Sequence, residues 1–223
     1  MRLVNRMWHS LTQHGPQRAT QTVTSIIADH WFDCRYGTDT VQEAHLEDLK
    51  VPKPKLGALD YQPSRTPYFR RLLERVAAPP GGVFVDLGAG KCRTLLLAAQ
   101  CGYRKAVGVE FSEELCITAR QNVDLFRRKT SVTTQFQVIR ADVAEYQIGN
   151  DDNVLYVSAF AEPTLQRILQ NIVTSLEHAP RELTLISHNP YCPHVIESHH
   201  AFTRLEQFVF GSESATIFRN RPQ

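Results

Sequence analysis

Val83 to Leu87 is a short apolar run that Gly88 and Gly90 break within three residues, and Leu95-Leu96-Leu97-Ala98-Ala99 follows close behind. The run suits a buried strand and the later segment is rich in good helix formers. A strand, a glycine turn and a helix bring backbone N–H groups and a helix N-terminus close to a bound ligand. This stretch constrains the chain more than any other, because a strand buried at both faces needs helices above and below it.

The flanking segments supply those helices. Phe69, Leu72, Leu73 and Val76 recur at helical spacing, and Pro79-Pro80-Gly81-Gly82 stops that helix before the first strand. Lys105 to Glu110 reads as a second strand. Ser112 is a plausible N-cap for the helix behind it, with Glu113 and Glu114 favourably placed in its first turn. Thr133 to Ile139 and Asn153 to Val157 read as strands three and four. Pro163 starts a helix whose apolar stripe includes Leu165, Ile168, Leu169 and Ile172, and Glu182 to Ser187 makes a fifth strand. Phe202 to Phe210 and Ala215 to Arg219 read as a closing hairpin joined by Gly211-Ser212-Glu213-Ser214. Strands that alternate with helices predict a doubly wound α/β fold with a mostly parallel, seven-stranded sheet.

Ahead of this unit, residues 1 to 60 predict a helical N-terminal arm or lid, and 61 to 223 the main domain. One helix is expected from Leu3 to Gln13 and a second from Thr22 to Phe32. No Asp or Glu precedes Asp29, and Leu3, Val4, Met7, Trp8 and Leu11 share a helical face. The outline is that of a transit peptide, but an ordinary amphipathic helix covering the domain is the preferred reading, because the segment is short.

Bulk properties narrow the partners. A net charge of +2 makes no electrostatic case for nucleic acid or an acidic membrane. No apolar run is long enough to span a bilayer. The five cysteines form no C-x-x-C pair, which favours reduced thiols and a cytoplasmic setting. His188, His194, His199, His200 and Cys192 match no closed metal motif, so no metal is expected.

Three ligands compete for the glycine turn. A P-loop needs Gly-x4-Gly-Lys followed by Ser or Thr, and here Cys92 follows Gly90-Lys91. A nicotinamide site, which would make the chain an NAD-dependent oxidoreductase, prefers a third glycine where Arg93 stands. S-adenosylmethionine (SAM) fits better. Asp86 lies directly before Leu87-Gly88-Ala89-Gly90, where a carboxylate would repel a pyrophosphate but suits a ligand with an ammonium and a sulfonium. Glu110, at the end of the second strand, can accept from both ribose hydroxyls. Asp142, after the third strand, can accept from the adenine amino group with Val143 beside the ring.

With these residues in view, the chain resembles the class I SAM-dependent methyltransferases. The resemblance rests on Val85-Asp86-Leu87-Gly88-Ala89-Gly90, on Val107-Gly108-Val109-Glu110-Phe111-Ser112 and on Ala141-Asp142-Val143. Trp31-Phe32-Asp33 with Arg35-Tyr36-Gly37, and Tyr61-Gln62-Pro63-Ser64, further resemble a group of small bacterial methyltransferases. The resemblance implies that Tyr61, Asp86, Gly88, Ala89, Gly90, Glu110, Phe111, Asp142, Val143 and Ser158 bind the cofactor. Tyr36, Phe160 and Tyr191 are expected at the acceptor. His188 is a candidate general base, its ordinary pKa of about 6.5 suiting the role.

The chain departs from its relatives at the fourth strand. Many end it in Asn-Pro-Phe, which serves amino-group methylation, whereas this chain has Ser158-Ala159-Phe160. The missing amide argues against amine methylation by that device. The expected acceptor is a small molecule, with a protein lysine or a non-catalytic SAM-binding scaffold as alternatives, and the expected state is a monomer or homodimer.

Overall fold

The computed structural model describes residues 20–45 and 61–221. The expected helix from Leu3 to Gln13 lies outside them. A helix over 20–36 (α1) comes first. Then follow α2 (Thr66–Val76), β1 (Val83–Leu87), α3 (Arg93–Gln100), β2 (Lys105–Glu110), α4 (Glu113–Arg128), β3 (Gln135–Arg140), β4 (Val154–Ser158), α5 (Glu162–His178), β5 (Thr184–His188), α6 (Pro193–Glu197), β6 (Phe202–Phe210) and β7 (Glu213–Asn220). The strands form one seven-stranded sheet in the order β3-β2-β1-β4-β5-β7-β6. β3, β2, β1, β4 and β5 are parallel, and β7 runs antiparallel to both β5 and β6. Among the described residues no helix is long and apolar enough to cross a membrane.

The sheet has two buried faces, and the alternation along each strand assigns side chains to them. Phe84, Ala106, Tyr156 and Ile186 pack with Phe32 of α1, Phe69 and Leu72 of α2, Leu96 of α3 and Phe126 of α4. Val85, Val107, Leu155 and Leu185 pack on the other face with Leu165, Ile168, Leu169 and Ile172 of α5. β1 is buried along its whole length, its one polar residue, Asp86, included. Ser112 caps α4 by accepting from Leu115 N at 3.3 Å.

Three expectations need correction. No helix separates β3 from β4; residues 141–153 form turns, so the alternation of strand and helix lapses there. Asn171 Nδ2, donating to Ala144 O and Tyr146 O, ties that segment to α5. The histidine-bearing stretch after β5, which the sequence reads as loop, includes the short helix α6. Glu213 and Ser214, read as hairpin turn, are the first residues of β7.

Gly108 on β2 takes over a packing role. A Cβ there would stand 2.8 Å from Ala89 Cβ and 3.0 Å from Cys92 Sγ. Close approach of turn and strand is what the third glycine of a dinucleotide fingerprint permits. Here that position holds Arg93, and the bare backbone lies on the neighbouring strand instead. Gly108→Ala is therefore expected to destabilise the fold by about 1–3 kcal/mol through overpacking. Denaturant midpoints check this; an unchanged midpoint would show that the turn gives way freely.

Candidate active site

The strand order reverses between β1 and β4, and in open sheets ligands bind at the carboxyl end of such a switch point. Register brings the polar residues together there. Asp86 pairs with Gly108 on one side and with Tyr156 on the other, so Glu110 and Ser158, each two residues further on, share its face. Ser158 is the direct cross-strand partner of His188. His188 is also the partner of Ala215, two residues after Glu213. Asp86, Glu110, Ser158, His188 and Glu213 therefore stand along one edge, on the face covered by α1 to α4.

The turn itself bends through left-handed backbone: Gly88 has φ +91°, Gly90 +51° and Cys92 +66°. Four of its N–H groups are spent within the protein. Gly88 N and Ala89 N donate to Val109 O at 2.9 and 3.0 Å, Gly90 N to Glu110 Oε2 at 2.9 Å, and Cys92 N to Ala89 O at 2.8 Å. A pyrophosphate would need these donors. Their use leaves carboxylates, not amides, as the polar groups offered to the crevice.

Asp86 is buried and accepts from Thr94 Oγ1. Burial pushes its carboxyl up to about 7, Glu110 adds to the rise, and the Thr94 hydrogen bond opposes it. Burial likewise raises Glu110, against the hydrogen bonds from the Ser112, Gly90 and Phe111 amides. Glu110 Oε1 accepts from Ser112 N at 2.9 Å. A carboxylate has about four lone-pair positions, more than these three amides use, which leaves room for a ligand. Asp142 is half-buried and its Oδ1 accepts from Ala144 N at 3.0 Å. Phe111 and Val143 are half-buried at neighbouring strand ends. The Phe160 ring lies over Gly88, its Cζ 3.1 Å from where a Cβ would stand.

The arm reaches the turn. The Tyr61 ring lies on Gly90, within 2.1 Å of a notional Cβ, and its hydroxyl donates to Thr40 O at 3.0 Å. Lys91 Nζ pairs with Asp39 at 2.9 Å. Arg93, 1% exposed, pairs with Asp29 at 2.8 Å and donates from Nε to Thr40 Oγ1 at 2.8 Å. Thr40 also donates to Asp33, which receives the Thr40 and Val41 amides as well. Asp29, Asp33, Thr40 and Thr94 were not singled out from the sequence. Asp29 and Thr40 owe their roles to Arg93, more than 50 residues away, while Thr94 and Asp33 act through nearer partners, Asp86 and Thr40, in pairings that no sequence pattern marks.

His188 is 5% exposed and held on both sides. Its Nδ1 is 3.1 Å from Ser158 Oγ and its Nε2 is 2.8 Å from Glu213 Oε2. Burial works to raise the Glu213 carboxyl, but hydrogen bonds from His188 and Asn189 outweigh it and hold the group below the usual carboxylate range. Ala159 and Asn189, immediately after Ser158 and His188, both have positive φ, +50° and +40°. Such strain in residues other than glycine gathers at functional sites.

The structure does not bring Tyr36 to this edge. Tyr36 packs between Phe32 and Phe126, and its hydroxyl accepts from Gln100 Nε2 at 2.8 Å. Gln100 and Phe126 belong to the last turns of α3 and α4, at the end of the sheet away from the glycines. Tyr191 is 64% exposed on the segment before α6. Among the described residues, no three His, Cys, Asp or Glu side chains are grouped as a metal site would require.

Comparison with known proteins agrees with this architecture. Residues 61–195 match the family described as histone methylation protein DOT1. No curated protein sequence matches the chain. Several solved structures share the fold. An RNA methyltransferase from Salinibacter ruber, crystallised with S-adenosylhomocysteine, is 20% identical with a TM-score of 0.53, over 76% of this chain and 94% of that one. The tRNA methyltransferase TrmK of B. subtilis is 14% identical with a TM-score of 0.54, over 69% of this chain and 64% of that one. A mutant of MtNAS in complex with S-adenosylmethionine is 20% identical with a TM-score of 0.53, over 70% of this chain and 63% of that one. With the family match spanning more than half of its length, the chain belongs to the DOT1 family and is a SAM-dependent methyltransferase.

Proposed function

We propose that SAM lies across the carboxyl ends of β1, β2 and β3. Asp86 and the turn Gly88-Ala89-Gly90 hold its methionine end, and Glu110 accepts from the ribose hydroxyls. Phe111, Asp142 and Val143 hold the adenine, while Ser158 and Phe160 border the methyl. Tyr61 and the arm that contains α1 act as a lid. The observation that carries this reading is the fate of the Gly88, Ala89, Gly90 and Cys92 N–H groups: they are bonded within the protein, so acids at the crevice are set to meet a cationic, phosphate-free ligand. The same observation argues against the nicotinamide reading. When bound, SAM supplies a methyl group on a positively charged sulfur; the protein orients the acceptor in line with it and removes water.

Asp86 makes the reading testable by pH. A cationic ligand favours the ionised acid, whereas the free protein holds this carboxyl protonated below about 7. The binding constant for SAM is expected to fall about tenfold per unit as pH drops from 7 toward 5, and to be flat above 8. Calorimetry in buffers of different ionisation enthalpy should show a proton released on binding below pH 7. A pH-independent constant would overturn the placement. The effect on folding has the opposite sense. The folded pKa lies above the ordinary value of 3.8, so this group's contribution is greatest in acid and is lost as pH rises through about 7.

For the acceptor, we infer a small molecule whose nucleophile is a hydroxyl or a thiol. Ala159 at φ +50° occupies a conformation closed to proline, whose φ is near −65°. The strand end is thus not an Asn-Pro-Phe turn with altered side chains but a different path. It directs Ser158 Oγ to an imidazole where relatives present an amide. A base rather than an amide suits a nucleophile that must lose a proton. The family's description, histone methylation, favours a second reading, a protein acceptor. Labelled SAM offered separately to small metabolites, core histones and total RNA decides between them. Label in the first supports the proposal, label in the second supports the alternative, and label confined to RNA overturns both.

A further inference from the structure

We propose that Ser158, His188 and Glu213 form a proton relay that takes the proton from the methyl acceptor; the proposal rests on the placement of SAM given above. The three residues come from three adjacent strands and are aligned by register, not by a loop. Glu213 Oε2 accepts from both His188 Nε2 at 2.8 Å and Asn189 Nδ2 at 2.9 Å. A carboxylate on Nε2 sets the tautomer: that nitrogen carries the proton, and Nδ1 is left as an acceptor. The Ser158 hydroxyl, 3.1 Å away, then donates to Nδ1. Its own lone pairs remain available to a proton arriving from the crevice.

Burial separates this chain of groups from bulk water. The imidazole packs against the rings of Tyr68 and Tyr156, at 5.1 and 5.7 Å between centroids. Ser158, half-buried, is the member that meets the crevice. The titratable and charged groups that surround the imidazole are Tyr68 of α2, Tyr156 of β4 and Glu213 of β7, with Arg65 acting on Glu213 from the start of α2.

The step balances. The acceptor's O–H or S–H proton passes to Ser158 Oγ as the Ser158 proton passes to His188 Nδ1. The oxygen or sulfur forms a bond to the methyl carbon, and the carbon–sulfonium bond breaks with its electron pair remaining on sulfur. The products are the methylated acceptor, S-adenosylhomocysteine and an imidazolium that faces the Glu213 carboxylate. Ser158 is the member that meets the substrate, His188 stores the proton, and Glu213 is a positioning residue.

The test uses the full chain, with histidine labelled with nitrogen-15 and the protein saturated with S-adenosylhomocysteine. At pH 8, His188 is expected to show a protonated Nε2 and an unprotonated Nδ1. Glu213→Gln is expected to lower the imidazole pKa by at least one unit without changing S-adenosylhomocysteine affinity more than about twofold. A proton found on Nδ1, or an imidazole pKa unmoved in Glu213→Gln, overturns the relay. Two thiol probes with labelled SAM supply the kinetic arm. 2-Mercaptoethanol is largely protonated at pH 8, whereas thiophenol is ionised. His188→Gln is expected to slow methylation of the first at least tenfold and of the second less than threefold. Equal losses overturn the relay. Failure of the unaltered protein to bind S-adenosylhomocysteine would instead overturn the cofactor placement on which the relay rests.

Discussion

Arg93→Met is expected to cost about 3–5 kcal/mol of stability and to release the arm from the body of the protein. Arg93 is 1% exposed and Asp29 is fully buried, and the two meet at 2.8 Å. Asp29 keeps Arg65 at 3.0 Å and the Thr66 amide at 2.8 Å after the change, but half of its charge compensation is gone. Thr40 loses the donor that fixes it, and with it the carbonyl that receives the Tyr61 hydroxyl loses its position. Removing one member of a buried ion pair leaves the other charge in a medium that solvates it poorly. Domains of this size have about 5–15 kcal/mol in all, so the loss is a large fraction. Denaturant midpoints measure the total, and amide exchange across 29–41 locates it. A midpoint loss below about 1 kcal/mol would mean that the remaining contacts, among them Arg65 and the Thr66 amide with Asp29 and Lys91 with Asp39, anchor the arm without Arg93. The substitution also separates arm from cofactor: if Tyr61 closes the site, SAM affinity falls in step with loss of exchange protection.

Glu110→Ala is the second change with a large expected effect. The carboxylate holds two buried amides, Gly90 N and Ser112 N, each at 2.9 Å. Without it both donors are unsatisfied, a penalty of about 1–3 kcal/mol each. The Gly90 amide is part of the turn on which the cofactor is proposed to rest, and the ribose loses its acceptor as well. SAM affinity is expected to fall at least a hundredfold, with stability down by about 2 kcal/mol. Glu110→Gln separates the two effects. It retains one acceptor oxygen for the backbone but turns an amide donor toward its neighbours, so stability recovers in part while affinity stays low. Calorimetry beside thermal unfolding measures both; normal affinity in Glu110→Gln would remove Glu110 from the cofactor site.

Much of the fold can be read along the chain because its rules are local. The apolar run at Val83 to Leu87 is a strand over those same residues, and the Leu165 to Leu176 stripe is the buried side of α5. Ser112 caps α4 as its type and position foretell. Where such signals lapse, the reading lapses too. Residues 141–153 have neither helical nor strand spacing, and their order comes from Asn171 and from Arg181, which donates to Asp152 O at 2.8 Å and Gly149 O at 2.9 Å. Glu213 sits in a stretch rich in turn formers, yet pairing with Phe210 of β6 draws it into β7.

The candidate site divides in the same way. By itself the sequence determined the strand, the glycine turn at Gly88 and Gly90, and the acids Asp86, Glu110 and Asp142, because each follows from a short-range pattern. Only the tertiary structure decided what these groups face. It spent the turn's amides on Val109 and Glu110, moved the close-packing glycine to Gly108, and gave Arg93 to Asp29. It placed Tyr36 at the other end of the sheet and set Glu213 behind His188. The physical reason is register: which strand lies beside which, and at what offset, is set by packing across the whole sheet and cannot be read from any single stretch.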